Sequence, residues 1–400
     1  VSGMDDPMGE SSCVSCGECV QACPTGALFP ASNVDASQIG DSLDFDCAVQ
    51  SVCPFCGVGC QISLKIKDDK VKWVDGIDGP ANENRLCVKG RFGFDYIDHS
   101  HRLTMPLIRR DGAPKGLNVN PEDPSSHFRE ASWEEALTFA ANGLRGRGRE
   151  VAGFGSAKCT NEEAYLFQKF IRQGFGHNNV DHCTRLCHAS SVAALMENVG
   201  SAAVTATFNE IENSDVAIVI GANPTENHPV AATYFKQFSK RGGKLIVMDP
   251  RGQALKRHSS HMLQFRPGAD VSMLNAIMHV IVEEGLYDDD YVAKYTENWE
   301  AQKEHLKDFS PEKMAPICGI EAEMLRDVAR TFAGARAGMI FWGMGVSQHI
   351  HGTDNSRCLI SLAFMTGNVG KPGAGLHPLR GQNNVQGASD AGMIPMFLPV

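Results

Sequence analysis

The spacing of apolar residues along the chain predicts two kinds of structure. Residues 61–74 place an apolar side chain at roughly every second position, which predicts a β-hairpin. Continuous apolar runs at 215–220, 244–249 and 337–342 are separated by segments in which apolar residues recur every three or four positions. Buried parallel strands joined by helices have this pattern. We therefore predict an α/β fold with Rossmann-like doubly wound domains beside a small β-rich domain.

Helix start signals support this division. The segments 132–135 and 160–163 both have capping-box spacing, and each precedes a stretch with one apolar face. The first face would bury Leu137 and its neighbours, and the second would bury Phe170. Asp270 is predicted to cap a third helix. Residues 31–50 are small and polar, which is typical of a linker.

The bulk composition narrows the class of protein. A chain of 400 residues exceeds the size of most single cores, so several domains are expected. The net charge of −10 argues against a nucleic-acid partner. No apolar run approaches the roughly 20 residues needed to cross a membrane. Fourteen cysteines, eight of them in two compact groups, indicate metal ligation in a reducing compartment, and hence a cytoplasmic protein.

The first chemically informative stretch is a group of three cysteines with a fourth further along. Cys53, Cys56 and Cys60 fall within eight residues, and Cys87 follows after twenty-six more. Glycines between the close cysteines would let the backbone fold around one cubane, so we predict a [4Fe-4S] cluster. A structural zinc site is the alternative, because four cysteines also bind zinc. Lys89 places a cation beside this site.

The second group of cysteines is near the beginning of the sequence. Cys13, Cys16, Cys19 and Cys23, followed by Pro24, have the spacing of a bacterial ferredoxin, in which the fourth cysteine serves the other cluster of a pair. A second copy of this run would be needed to complete both clusters. We therefore expect the chain to be a piece of a longer protein.

Three further stretches could carry chemistry. Cys187 precedes a predicted helix at 189–198, whose N-terminus would favour a thiolate, and His188 is suited to proton transfer. A buried structural cysteine and a thiol enzyme remain alternatives. Polar residues follow the predicted strands, where doubly wound sheets bind ligands. Among them, Asp249 could bind a ribose or guanine and Arg251 a phosphate, although Asp249 could instead cap its own turn.

Taken together, these features resemble the molybdopterin oxidoreductases, and among them the formate dehydrogenase catalytic subunits with a ferredoxin-like N-terminal extension. The resemblance rests on the Cys53–Cys87 array with Lys89, the Cys187-His188 step, the segments 221–229 and 247–251, and the amide-rich segment 380–392. It implies the domains 1–35 (partial ferredoxin-like segment), 48–108 ([4Fe-4S] domain) and 109–400 (pterin-binding catalytic region, incomplete at its end).

The resemblance also implies roles for individual residues. Cys187 would bind molybdenum or tungsten held by two pterin guanine dinucleotides, and Arg357 would bind the formate carboxylate. His188 would stabilise the site or move a proton, and Lys89 would lie between the pterin and the cubane. The residues expected to contact the pterin cofactor are Asn223, Glu226, Asp249, Arg251, Gly268, Asp270, Gly343, Gly345, Gln348, Gly381, Gln382 and Asn383.

The implied reaction is oxidation of formate to CO₂, with electrons leaving through [4Fe-4S] clusters. Their acceptor would be a flavin and iron–sulfur diaphorase-type subunit that reduces NAD⁺, or a ferredoxin. Two alternatives are another molybdopterin reductase, such as a nitrate reductase, and a non-catalytic iron–sulfur conduit. His188 and Arg357 would distinguish formate dehydrogenase from another molybdopterin reductase. A carboxylate substrate needs a cation to bind it, and the departing proton needs an acceptor. A conduit could lack Cys187, His188 and Arg357.

Overall fold

A computed structural model of the chain describes residues 13–28, 44–116, 119–120 and 123–399. Its strands are β1 (Cys47–Val52), β2 (Gln61–Lys67), β3 (Lys70–Gly76), β4 (Leu107–Arg109), β5 (Phe128–Glu130), β6 (Gly153–Gly155), β7 (Val180–His182), β8 (Val216–Ile220), β9 (Lys244–Met248), β10 (His261–Leu263), β11 (Gly338–Trp342) and β12 (Gly375–Pro378).

The α-helices are α1 (Glu18–Gln21), α2 (Val88–Phe92), α3 (Trp133–Leu144), α4 (Asn161–Phe175), α5 (Thr184–Cys187), α6 (Ala189–Asn198), α7 (Pro224–Asn227), α8 (Pro229–Lys240), α9 (Asp270–Glu283), α10 (Asp289–Tyr295), α11 (Trp299–Leu306), α12 (Pro311–Cys318), α13 (Ala322–Ala333), α14 (Met344–Ser347), α15 (Gly352–Met365) and α16 (Val385–Asp390). Short 3₁₀ helices span Asp95–Ile97, Pro124–Ser126, Gly148–Glu150, Phe208–Asn213 and Ala254–His258.

A five-stranded parallel sheet forms the centre of the α/β region, which confirms the predicted doubly wound fold. Its strand order is β10-β9-β8-β11-β12. The chain adds β9 and β10 on one side of β8 and then β11 and β12 on its other side. Strands β8, β9 and β11 are buried almost throughout. Successive residues of β8 face opposite sides, and Ile218 packs with α9, α13 and α15 while Val219 packs with α8. Fully burying side chains of this size stabilises the fold by about 1.5–3 kcal/mol each.

Residues 44–99 form the small β-rich unit. Strands β1, β2 and β3 make an antiparallel sheet, and the predicted hairpin is confirmed by the β2–β3 pairing. Asp68 and Asp69 form its turn with positive φ angles, which short polar side chains tolerate. The predicted linker at 31–50 is wrong at its end, because Cys47 begins strand β1. Residues 31–43 of that linker lie outside the described residues.

Two predicted helices form as expected but do not bury the expected faces. The capping box at Thr160 is present, yet Phe170 on α4 is 50% exposed because the buried face is set by Ala164 and Ile171. Helix α3 begins after the Ser132 cap, but none of its residues is buried, and Leu137 is 63% exposed. Asp270 does not cap α9; it is the first helical residue and is itself buried.

The ferredoxin-like segment is described over residues 13–28, where α1 lies against the β-rich unit. Residues 1–12 and 29–35 of the predicted domain lie outside the described ranges. Within the described ranges, no helix is both long and apolar enough to cross a membrane.

Candidate active site

Four cysteines line one small cavity in the β-rich unit. Cys53, Cys56 and Cys60 are buried and Cys87 is half-buried, in agreement with the spacing argument. Burial raises the pKa of Cys53 to about 11 and also raises the pKa of Cys56 and Cys60. Each of these thiols would stay protonated unless a metal centre stabilises the thiolate. Their arrangement and chemistry fit an iron–sulfur cluster.

Lys89 lies between this cysteine cavity and a larger pocket. Its ammonium group donates hydrogen bonds to the carbonyls of Glu226 (3.4 Å) and Asn227 (3.3 Å). Lys89 and Cys56 both line the larger pocket, and Cys56 also lines the cysteine cavity. The pKa of Cys56 is raised by burial, and the charge of Lys89 partly offsets that rise. Lys89 therefore lines the larger pocket on the side of the cysteine cavity.

The larger pocket has a volume of about 540 Å³ and lies at the carboxyl ends of β8, β9, β11 and β12. The chain reverses its direction of growth between β8 and β11, which is where doubly wound sheets bind ligands. The predicted cofactor residues that line this pocket are Asn223, Asp249, Arg251, Gly268, Asp270, Gly343, Gly345 and Gly381.

Glycines allow two of these loops to touch backbone to backbone. A Cβ atom on Gly343 would lie 2.6 Å from the carbonyl oxygen of Gly221, and one on Gly345 would lie 2.8 Å from the Cα of Gly221. Gly221 itself has a φ of +58°, in the left-handed region that favours glycine. Side chains at these positions would force the loops apart and change the floor of the pocket.

Two buried carboxyl groups face this pocket. One carboxylate oxygen of Asp249 accepts a hydrogen bond from the backbone N–H of Arg251 (2.8 Å). This oxygen caps its own turn, as the alternative interpretation predicted. The second oxygen accepts from Gln253 at 3.3 Å. Burial raises the pKa of Asp249 and of Asp270. Both groups are oriented toward the same space, and a ligand rich in N–H donors would stabilise their charged forms.

Cys187 is the last residue of α5, and only His188 separates it from α6. The predicted bounds of α6, residues 189–198, are confirmed. The Cys187 thiol is half-buried, and its pKa is raised by burial and by neighbouring Cys183. Arg380 and a hydrogen bond from the backbone of Gly381 act in the opposite direction. A cation and a backbone donor therefore already lie where a thiolate would form.

His188 is fully buried, and both of its ring nitrogens are engaged. Trp342 donates to the Ser191 hydroxyl (2.8 Å), which leaves that hydroxyl free to donate to Nδ1 of His188 (3.1 Å). Nε2 lies 3.2 Å from the carbonyl of Leu379, which can only accept, so Nε2 carries the proton. Burial lowers the pKa of His188 to about 3. The ring is therefore neutral and held in place, which fits a stabilising role better than proton shuttling.

The structure does not bring Arg357 to this site, and the prediction for this residue needs correction. The Arg357 side chain is 46% exposed on α15. Its guanidinium is paired with Glu197 at 2.6 Å and with Asp354 at 2.9 Å. Glu197 lies near the far end of α6 from Cys187. Because two carboxylates already pair with this exposed guanidinium, it is poorly suited to bind the carboxylate of a substrate.

Arg380 occupies the position that was expected for Arg357. It lies beside Cys187, and burial lowers its pKa to about 10, so it remains charged at neutral pH. Nη2 donates to the carbonyl of Ala202 (3.0 Å), whereas Nη1 is buried without a partner among the described residues. Its carbonyl accepts from Nε2 of His228 at 2.7 Å. A Cβ on Gly57, in the cysteine loop, would lie 2.3 Å from that same carbonyl.

The remaining predicted cofactor residues do not line the larger pocket. Gln382 accepts a hydrogen bond from the thiol of Cys183, and Asn383 has a buried side-chain oxygen with no partner in the described part of the chain. Glu226 contributes only its backbone carbonyl, to Lys89, and its side chain is exposed. Gln348 is exposed and is not part of the pocket lining.

Unsatisfied buried groups gather around the pocket and Cys187. Four of the five such side-chain atoms in the described residues lie here: Nδ1 of His228, Oε1 of Gln253, Nη1 of Arg380 and Oδ1 of Asn383; the fifth is the hydroxyl of Tyr234 on α8. Buried polar groups are rarely left without partners, because each one costs about 1–3 kcal/mol. Donors, acceptors and bare glycine backbone around one cavity suit a large polar heterocycle. The residues present therefore fit a pterin cofactor.

The ferredoxin-like cysteines lie at the surface of the β-rich unit. Cys13 and Cys19 are exposed, and Cys16 and Cys23 are half-buried. A hydrogen bond with Thr25 lowers the pKa of Cys23 to about 7. The segment around α1 therefore presents thiols outward, on the side of the β-rich unit that carries Arg91.

Comparison with protein families assigns most of the chain. The molybdopterin oxidoreductase family matches residues 102–396, and the molybdopterin oxidoreductase Fe4S4 domain matches residues 47–99. The 4Fe-4S binding domain matches residues 9–29. These matches support a molybdopterin cofactor and iron–sulfur clusters, and they favour an Fe4S4 cluster over zinc at the Cys53–Cys87 array.

Similar proteins include several formate dehydrogenases. The F420-dependent formate dehydrogenase subunit alpha of Methanocaldococcus jannaschii is 39% identical over 88% of this chain and 50% of its own length. Formate dehydrogenase H of Escherichia coli is 39% identical over 88% of this chain and 49% of its own length. The chain thus spans about half the length of these curated relatives.

Among solved structures, acetylene hydratase from Pelobacter acetylenicus has the same fold. It superposes with a TM-score of 0.70 at 24% sequence identity, over 82% of this chain and 44% of that chain. With the family match across residues 102–396, the pocket at the carboxyl edge of the sheet and the cysteine arrays, these comparisons show that the chain belongs to the molybdopterin oxidoreductase family.

Proposed function

We propose that this chain is the catalytic part of a formate dehydrogenase, which oxidises formate to CO₂. The observation that carries the proposal is the buried, unpaired Nη1 of Arg380 beside Cys187. An unpaired guanidinium N–H in a closed site is suited to a small carboxylate substrate. The two relatives described above are named formate dehydrogenases, which supports the same substrate.

In this reaction formate becomes CO₂ and loses two electrons, which the cofactor would accept, and one proton, which water would accept. Arg380 would bind the formate carboxylate through a charge-assisted hydrogen bond and so fix the orientation of its C–H bond. His188 would hold the Leu379 carbonyl, and His228 the Arg380 carbonyl, so that the guanidinium keeps its direction. Both histidines act here as positioning residues. Their low pKa values keep them neutral beside the cationic arginine.

The cofactor would be molybdenum, or tungsten, with two pterin guanine dinucleotides. Cys187 would provide the protein ligand to the metal, and the pocket residues Asn223, Asp249, Asp270 and Gly381 would contact the pterins. Bound there, the metal would accept the two electrons and the iron–sulfur clusters would carry them away. Lys89 lies between the two sites, which supports its role on that path.

The electrons would leave through the ferredoxin-like segment to a partner. A flavin and iron–sulfur subunit or a ferredoxin would suit this role, because both accept single electrons at an exposed surface. One of the relatives described above is F420-dependent, so the comparisons do not favour NAD⁺ as the final acceptor. We also propose a cytoplasmic location, since cysteines used as cluster ligands require a reducing compartment.

Substituting the two arginines separately tests the proposal. In the full-length, cofactor-loaded protein, Arg380→Lys keeps the charge but loses the planar fork. Losing one charge-assisted hydrogen bond of about 1.5–3 kcal/mol would lower kcat/KM for formate roughly 10- to 150-fold. Arg357→Lys is the matched control, and its formate kinetics should stay unchanged. The opposite pattern would return the substrate role to Arg357.

A second variant separates formate dehydrogenase from an iron–sulfur conduit. Cys187→Ala should abolish formate-dependent dye reduction while the iron content and the iron–sulfur spectrum stay unchanged. If Cys187→Ala keeps full activity, this cysteine is not a metal ligand and the proposed site is wrong. If the wild-type protein oxidises a reduced dye in the presence of nitrate but does not reduce the dye with formate, a nitrate reductase is the better assignment.

A further inference from the structure

A single buried cation joins the ferredoxin-like segment to the domain that holds the other cysteine array. Arg91 lies in α2, four residues after Cys87, and its side chain is only 3% exposed. Its backbone N–H donates to the carbonyl of Cys87 at 3.0 Å. Its Nε donates to the carbonyl of Cys16 at 2.8 Å. One residue thus connects the backbone of a cysteine in each array.

The same guanidinium also holds the side chains of α1. Nη2 donates to Oε1 of Glu18 (2.7 Å) and to Oε1 of Gln21 (2.8 Å), while Nη1 donates to the carbonyl of Val74 (3.4 Å). Close packing accompanies these bonds: a Cβ on Gly17 would lie 2.3 Å from Cδ of Arg91. Arg91 therefore contacts this segment through three hydrogen bonds and one tight van der Waals contact.

Apart from Arg91, a few polar contacts hold α1 in place. The helix has four residues and none of them is buried, so apolar packing contributes little to its position. The other described side-chain hydrogen bonds of α1 run to the backbone of the β-rich unit. Glu18 accepts from the N–H of Leu86 at 2.8 Å. Gln21 exchanges hydrogen bonds with the backbone of Gly76 at 3.0 Å and donates to the carbonyl of Asn84 at 3.2 Å. Both of these side chains are the ones that Arg91 orients.

We propose that Arg91 is a positioning residue that fixes the geometry between the two iron–sulfur sites. Electron transfer between the Cys13–Cys23 site and the Cys53–Cys87 site would depend on it, although Arg91 binds no cluster itself. This inference depends on the proposed electron path, but the docking contacts it uses do not depend on formate as the substrate.

The test uses Arg91→Met in the full-length, cluster-loaded protein, with Arg129→Met as the control. Arg129 is also an arginine in an ion pair, with Glu135, but it lies on β5 away from α1. Hydrogen–deuterium exchange is followed at the amides of Val20 and Ala22, which bond within the segment. Loss of one charge-assisted hydrogen bond would speed this exchange roughly tenfold or more in Arg91→Met, and the control should match the wild type.

Electron paramagnetic resonance gives the functional readout. In dithionite-reduced samples, we expect the magnetic coupling between the Cys53–Cys87 cluster and the nearest cluster of the ferredoxin-like segment to weaken in Arg91→Met, while iron per protein stays unchanged. After rapid mixing with formate, the Cys53–Cys87 cluster should be reduced at the wild-type rate and the clusters of the ferredoxin-like segment should lag. Because dithionite needs no formate chemistry, a wild-type protein that does not oxidise formate would refute the proposed function and leave this test intact.

A second variant guards against misfolding of the Arg91 protein. Gln21→Ala removes a half-buried side chain from the α1 side of the same network and should give the same changes in smaller measure. Arg91→Lys should restore them only in part, since an ammonium group cannot reach the three acceptors together. Unchanged exchange and unchanged coupling in Arg91→Met would overturn the proposal. Loss of iron from Arg91→Met would also overturn it, by assigning Arg91 to cluster assembly.

Discussion

The hydroxyl of Ser191 joins two buried groups of the active site, and we predict that its removal is unusually destabilising. It accepts from the indole N–H of Trp342 (2.8 Å) and donates to Nδ1 of His188 (3.1 Å). All three residues are completely buried. The arrangement fixes which nitrogen of His188 carries the proton.

The magnitude follows from the groups that lose a partner. In Ser191→Ala, the Trp342 N–H loses its acceptor, and Nδ1 of His188 retains only the Ser347 hydroxyl, 3.4 Å away. Each unsatisfied buried group costs about 1–3 kcal/mol, so with two such groups the free energy of unfolding should fall by about 2–6 kcal/mol. Ser356 is the matched control, because it is equally buried but only donates to a carbonyl of its own helix at 2.9 Å. Ser356→Ala should lose about 0.5–1.5 kcal/mol.

Urea titration of both alanine variants, followed by tryptophan fluorescence, measures the difference. Ser191→Ala should also raise the KM for formate, because His188 would hold the Leu379 carbonyl less firmly. If the two variants lose the same free energy of unfolding, the hydroxyl does not have the linking role assigned to it.

Three further predictions concern packing, pH and loop docking. Gly57→Ala would place a methyl group against the Arg380 carbonyl, lowering both iron content and formate turnover, whereas Gly116→Ala meets open space and should change neither. Burial lowers the pKa of His377 to about 4. Its neutral form therefore contributes to the free energy of unfolding at pH values above the ordinary histidine pKa near 6.5, and up to about 3 kcal/mol of that contribution is lost as the pH falls toward 4. His377→Gln should flatten that slope in urea titrations at several pH values, and an unchanged slope would contradict it. Lys158→Met removes two 2.9 Å hydrogen bonds to carbonyls of the cysteine loop and should speed iron loss to a chelator; wild-type loss rates would refute this.

The sequence was sufficient for most of the framework because its signals are local. Continuous apolar runs predicted β8, β9 and β11, and the residues after them line the pocket as expected. The capping box at Thr160 and the start of α6 after His188 were equally direct. Cysteine spacing predicted the array around Cys53, because cluster ligation constrains neighbouring residues.

The arginine proposed to bind formate could not be found in this way. Strand β12 (Gly375–Pro378) begins with a glycine and follows Gly370 and Gly373, so its sequence is typical of a loop. The sequence therefore did not predict a strand end there, nor the position of Arg380 two residues later. Arg357 in the first half of α15 was the more conspicuous cation, but the sequence does not reveal that Glu197 from α6 pairs with it. A cation adjoining the amide-rich segment 381–384 was the signal available.

The close contact between Gly57 and the Arg380 carbonyl links the loop of the Cys53–Cys87 array to the site around Cys187. Oxygen that destroys the cluster would release the loop carrying Gly57, and the neighbouring arginine would lose one of the supports that aim it. Inactivation by air would then show first as weaker retention of substrate, before any metal leaves the pterin pocket.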